Sequence, residues 1–216
     1  MFELSLTDLL LASLLPMLAA SATAVAGRLL AAAGRKTSWP ATGFAVASQT
    51  LERRGCPGIP VGCLGKRGDD HWERRSGSLC LRADVFHGRN GWSAVAAAYA
   101  AVWAVDVAGR RFLGGIDQAT ASLLLFGGPA AGLGVLVGFI ASLKPLLFAG
   151  AVALVALWLL DLAWAPWRFR TALRTVTELK TSADAGADPS RWLPRAAWGQ
   201  VLQESSRLVS PPLWVR

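Results

Sequence analysis

Residues 119–167 read ATASLLLFGGPAAGLGVLVGFIASLKPLLFAGAVALVALWLLDLAWAPW. Apolar residues run from 119 to 160 with one charge among them, Lys144, and Pro145 follows it. As one helix that run would be about 63 Å long, twice the ~30 Å hydrocarbon core of a bilayer. The chain must therefore turn, and the Ser142–Pro145 stretch is the natural place. The result is a transmembrane helical hairpin over residues 119–165. Its first arm carries Gly128, Gly132, Gly134 and Gly138 in overlapping small-xxx-small pairs, which let a neighbouring helix approach closely. Its second arm ends in Trp158, Trp164 and Trp167, read as a belt at the membrane–water boundary.

Working outward towards the N-terminus, residues 91–109 (GWSAVAAAYAAVWAVDVAG) are apolar but rich in Ala and interrupted by Asp106. They sit at the lower limit of length for a span, so a re-entrant, interfacial or short transmembrane helix is expected there. Residues 34–90 are polar and basic, and Gly55, Pro57, Gly58, Pro60, Gly62, Gly65 and Gly68 punctuate them. That spacing predicts an irregular extramembrane loop. Within it, Phe44, Ala47 and Leu51 share one face of a short helix at about 43–53, with Gly55 placed to end it. Residues 1–33 hold an uncharged run from Leu9 to Gly27, long enough to span. Glu3 and Asp8 precede it and no basic residue comes before Arg28, which reads as a retained first membrane helix rather than a cleaved address.

Beyond the hairpin, residues 166–216 form a basic amphipathic tail. Phe169, Ala172, Leu173, Val176 and Leu179 make a helical stripe with Arg170, Arg174 and Glu178 opposite. Such a helix lies on the bilayer surface or docks on a partner. Residues 181–190 (TSADAGADPS) read as a linker, with Asp188 or Ser190 capping a second short helix that ends before Ser210-Pro-Pro. The fold class is therefore an all-α integral membrane protein with three or four transmembrane helices. The positive-inside rule prefers three, with residues 34–118 and the tail on one side holding 20 of the 22 Lys and Arg.

Composition agrees. The 216 residues are 53% hydrophobic and 17% charged, below the roughly 25% charge of a soluble domain. The net charge is +8, and ten Trp stand against one Tyr. The Arg are spread beside apolar runs rather than clustered with base-stacking aromatics, so nucleic acid is excluded in favour of anionic lipids and other membrane subunits. Trp158, Trp164, Trp167, Arg168, Arg170 and Arg174 are the expected interfacial anchors. The bilayer is an inner membrane, bacterial or organellar.

Reactive groups are few. Cys56, Cys63, His71, Cys80 and His87 share the polar loop. Zinc sites draw ligands as tight pairs two to four residues apart, whereas six residues separate the first two cysteines here. No metal site and no cofactor are expected on that spacing, with Cys56, Cys63, His71 and Cys80 the only candidates; a Cys56–Cys63 disulfide is the alternative in an oxidising space. Asp106 and Asp161 are candidate intramembrane charges, Asp106 within one turn of Arg110 and Asp161 flanked by Trp at head-group depth. Neither histidine lies in an apolar segment, which excludes an intramembrane bis-histidine haem. No His-Glu-x-x-His, Gly-x-Ser-x-Gly, Walker lysine or Cys-x-x-Cys is present. With no catalytic residues to nominate, the reading is a non-catalytic accessory subunit of a larger membrane complex, energy-transducing machineries among them. Two alternatives stand beside it: a small transporter or channel using an intramembrane Asp, and a lipid-acting membrane enzyme.

Overall fold

The structure is a computed structural model that describes residues 5–64, 70–73, 75–109, 111–182, 189–206 and 208. Expectations placed on Gly65, Lys66, Arg67, Gly68, Arg74, Arg110, Asp188 and Ser210 fall outside these residues, as does most of the 181–190 linker. The described residues are 76% helical with one small sheet. Among them, four helices are long and apolar enough to cross a membrane, in keeping with an all-α membrane protein.

The first helix, α1 (Leu6–Arg35), starts with a capping box in which Ser5 and Asp8 satisfy each other's backbone N–H groups. Its outer face shows Leu11, Leu14, Leu15, Leu18, Val25 and Leu29 to the surroundings. Its last turns pack on α8 (Pro189–Glu204), which approaches backbone to backbone: a Cβ on Gly199 would stand 2.7 Å from the Ala31 nitrogen. The hairpin comprises α5 (Arg111–Ile140) and α6 (Lys144–Leu162), with the turn at Ala141–Leu143. Ser142 takes a left-handed φ of 54°, while its N–H and that of Leu143 bond back to Phe139 and Gly138 carbonyls. Both arms expose large apolar side chains such as Leu123, Phe126, Leu133, Phe148 and Val152, the surface expected towards lipid.

Residues 34–90 are not irregular throughout. The expected short helix is α2 (Gly43–Arg53), with Thr42 as its N-cap and Gly55 (φ 72°) in the closing turn. Gly55 and Cys56 donate to the carbonyls of Glu52 and Leu51, a Schellman closure that requires left-handed backbone at Gly55. A three-stranded sheet follows, built from β1 (Val61–Leu64), β2 (His71–Glu73) and β3 (Ser78–Arg82). Its order is β1-β3-β2, with β1 parallel and β2 antiparallel to the central strand. A single turn, α3 (Ala83–Phe86), leads onward. Glycine and proline spacing of this kind rules out long helices, yet it permits short strands joined by turns.

These pieces wrap α4 (Gly91–Gly109), every residue of which from Gly91 to Val102 is buried in protein. Val46, Ala47 and Leu51 of α2, Leu79 and Leu81 of β3, Val85 of α3, and Trp192, Leu193 and Ala196 of α8 close around it. The helix is the centre of the main core. The tail likewise packs one face inward. In α7 (Ala165–Ser182) the buried face runs through Arg168, Thr171, Ala172, Thr175 and Leu179, while Phe169 and Leu173 of the expected stripe are exposed.

Small residues meet at the hairpin seam selectively. A Cβ at Gly138 would lie 2.5 Å from the Leu147 nitrogen, and one at Gly150 would lie 2.8 Å from the Val135 nitrogen. Gly134 and Gly128 face ordinary van der Waals neighbours, and Gly132 has open space. Replacing Gly138 or Gly150 by Leu should therefore overpack the seam and cost about 1–3 kcal/mol, whereas Gly132→Leu should stay within about 0.5 kcal/mol. Thermal unfolding in mild detergent measures this, and equal losses at all three positions would refute the seam.

Candidate functional site

Strand register decides which reactive side chains can meet. Gly62 and His71 are the partners of Cys80 on either side of β3, and Cys63 is the partner of Leu81. Successive residues of a strand point to opposite faces. Cys80 and His71 therefore belong to one face, and Cys63 to the other. Cys63 reaches His87, just after α3, with Sγ 3.9 Å from Nε2 at the exposed rim. All three cysteines are free thiols, so the alternative Cys56–Cys63 disulfide does not form. Cys56 serves instead in the turn that ends α2.

The Cys80 thiol is directed at the Glu73 carboxylate, 3.9 Å away, and lies 3.7 Å from the Ser78 hydroxyl. Burial pushes this thiol above its ordinary value, only partly offset by Ser78, so it stays protonated at neutral pH. Next to the sheet, Asp70 accepts from the backbone N–H of Arg82 at 2.7 Å, with the Arg82 guanidinium 3.7 Å away. Burial pushes the Asp70 carboxyl up to about 7 despite that pull.

Beside β1, which is an edge strand, a cavity of about 310 Å³ opens between α2 and residues 57–61. Phe44, Leu51, Pro57, Ile59, Pro60 and Val61 give it an apolar lining, with Ser48 and Glu52 as its polar wall. Phe44 also meets Phe86, whose ring touches that of His87, so groove and Cys63–His87 pair are joined by one aromatic string.

Both acids named from the sequence stand in ion pairs. Asp106 is held by Arg174 of α7, whose Nη1 lies 2.8 Å from both carboxylate oxygens. That partner lies 68 residues away in sequence. Asp161 lies in the protein interior. It is buried with Arg168, which donates to its carboxylate, to its carbonyl and to the Ser205 hydroxyl. Arg168 is thus no interfacial anchor, with a side chain only 2% exposed. Trp164 is buried as well, its indole N–H donating to Thr120 at 3.2 Å and its ring edge-on to Trp103. Arg170 does sit at the surface, over Trp167.

Two outcomes follow from these charges. Arg168→Met should destabilise by about 3–5 kcal/mol, because it strands a buried carboxylate, and adding Asp161→Leu should recover most of the loss; a double-mutant cycle by thermal unfolding decides. For Asp70, the folded state binds a proton that the unfolded chain, titrating near 4, has released. Stability should therefore fall as pH rises from about 4 to about 7, and Asp70→Asn should flatten that slope. An unchanged slope in the variant would remove Asp70 from the account.

Among known proteins, no curated sequence and no solved structure matches this chain. A family model does match, over residues 9–193, and its description reads "Putative neutral zinc metallopeptidase". The match takes in α1, the sheet, α4, the hairpin and α7, so it covers the buried core and the apolar hairpin together. It overturns the expected non-catalytic accessory subunit, along with the transporter, lipid-enzyme and lipid-binding readings, none of which agrees with a peptidase family. The absence of a familiar motif was the basis for setting enzymes aside, and a match that spans most of the chain outweighs it. The chain belongs to the neutral zinc metallopeptidase family.

Proposed function

We propose that the protein is a membrane-embedded peptidase that acts on polypeptide chains at the water-facing edge of an inner membrane, bacterial or organellar. The observation that carries this reading is the family match over most of the chain. Two structural features support it. The four long apolar helices suit a membrane setting, with the sheet and α2 forming a separate layer on the α4 core. The second feature is the edge strand β1 beside an apolar groove. An edge strand presents unpaired main-chain groups to an extended peptide, and a neighbouring groove takes one of its side chains. Phe44 and Ile59 both line the groove and would select an apolar residue.

The family implies zinc, and the donor set of this chain does not fit it. A catalytic zinc takes three protein ligands, often two histidines one turn apart on a helix. Here the two histidines stand in β2 and after α3, and no group of three His, Cys, Asp or Glu converges among the described residues. No step of the reaction is therefore routed through a metal. What these residues do is bind: β1 aligns the chain, the groove holds a side chain, and α4 keeps the layer rigid.

Incubating the detergent-solubilised full chain with unfolded casein and mapping new termini by mass spectrometry tests the reading. Cleavage next to apolar residues is expected, with KM raised about tenfold by Ile59→Asp, the scale of losing one apolar side-chain contact. Intact casein after prolonged incubation at equimolar enzyme would overturn it.

A further inference from the structure

We propose that this member of the family carries no metal, and that the folded chain holds no stoichiometric zinc. The inference takes family membership as given and stands whether or not polypeptides are cut.

The chain has only two histidines and three cysteines with which to hold zinc. The sheet divides them. Cys80 and His71, partners across β2 and β3, belong to one face. Cys63, one step out of register with Cys80, belongs to the other and pairs with His87. Each pair is one ligand short of the three a catalytic site needs and two short of the four a structural site needs. Of the first pair, the Cys80 thiol is turned to Glu73.

Carboxylates such as Glu73 could complete a site, but no group of three His, Cys, Asp or Glu converges among the described residues, and three of the acids are held by arginines. Asp70 is engaged by Arg82, Asp106 by Arg174, and Asp161 by Arg168. Capturing Asp161 for a metal would strand the buried Arg168 guanidinium. The long helices give no substitute. Over Gly91–Val102, the part of α4 that is enclosed all round, the polar side chains are those of Ser93, Tyr99 and the two-faced Trp92, none of them a usual zinc ligand. The core at that level is filled by Ala96, Ala97, Ala98 and Ala101, each with no exposed surface. An apolar interior of this kind needs no metal to hold it together.

The test uses the full chain, expressed in zinc-supplemented medium, purified in mild detergent and passed through a gel-filtration column. Metal content is measured by plasma mass spectrometry, and thermal unfolding is recorded with a chelator and with added zinc. We expect less than about 0.1 zinc per chain, and a midpoint that moves by less than about 1 °C in either solution, since a ligand that does not bind the folded state cannot shift its stability. Retention of one zinc per chain, or a rise of about 5 °C or more at zinc well above its dissociation constant, would overturn the proposal. Casein cleavage is read separately, so a metal-free chain that cuts, or a zinc-loaded chain that does not, tells the two readings apart.

Discussion

A helix that is apolar on every side must be surrounded either by lipid or by protein. In this molecule α4 is surrounded by protein, and the arrangement of everything outside the hairpin follows from that enclosure. Its small residues let other elements come close: Ala94, Ala96, Ala97, Ala98, Ala101 and Ala104 are all buried. Backbones approach it nearly to contact, as at Gly34, where a Cβ would meet the Trp92 nitrogen at 2.9 Å. Close approach brings many elements into one shell. The end of α1, α2, β3, α3, α7 and α8 each lay one apolar face on it, and segments scattered over the whole sequence become one core. Dispersion and burial, not any single bond, hold that shell.

Charges then register the shell at its seams. Arg54 of the α2 end meets Glu178 of α7 at 3.0 Å, and Arg174 of α7 meets Asp106 of α4. These partly exposed pairs contribute little energy each, about 1 kcal/mol or less. Their value is positional, since α7 can satisfy both only in one rotation about its axis. The Asp161–Arg168 pair differs. It lies in the interior where α6 turns into α7, and Ser205 ties the C-terminal residues to the same guanidinium. Buried pairs are weak stabilisers but strong penalties when broken. This one sets the junction between the lipid-facing hairpin and the α4-centred core.

The same geometry separates the fold of a family from its chemistry. A peptidase fold positions a polypeptide and a reactive group independently: the first by an edge strand and a groove, the second by a few side chains. Here β1, Phe44 and the groove are laid out by the core, through α2 and β3. The soft donors are dispersed by the alternation of the same strands. An alternating strand cannot bring Cys63 and Cys80 to one point when their register differs by one residue. The groove and the soft donors are thus set by different features of the same layer.

Much of the architecture follows from local rules that a sequence displays. The hairpin needed only length and Pro145, because a run twice the membrane thickness must turn. The span and closure of α2 needed Thr42, an apolar face and Gly55. The sheet was not legible, for its strands are three to five residues long and mix with glycines that also signal loops. The fate of residues 91–109 was not legible either, because composition measures how apolar a helix is and not what surrounds it. The site shared that fate. Cys63 and His87 are 24 residues apart, and Phe44 reaches them only through Phe86. By itself the sequence determined where helices form and which can enter a bilayer, since these depend on neighbours along the chain. Tertiary structure alone decided that α4 is enclosed, that Asp161 and Arg168 pair in the interior, and that the metal donors stand apart. Those outcomes depend on contacts between segments that no local pattern encodes.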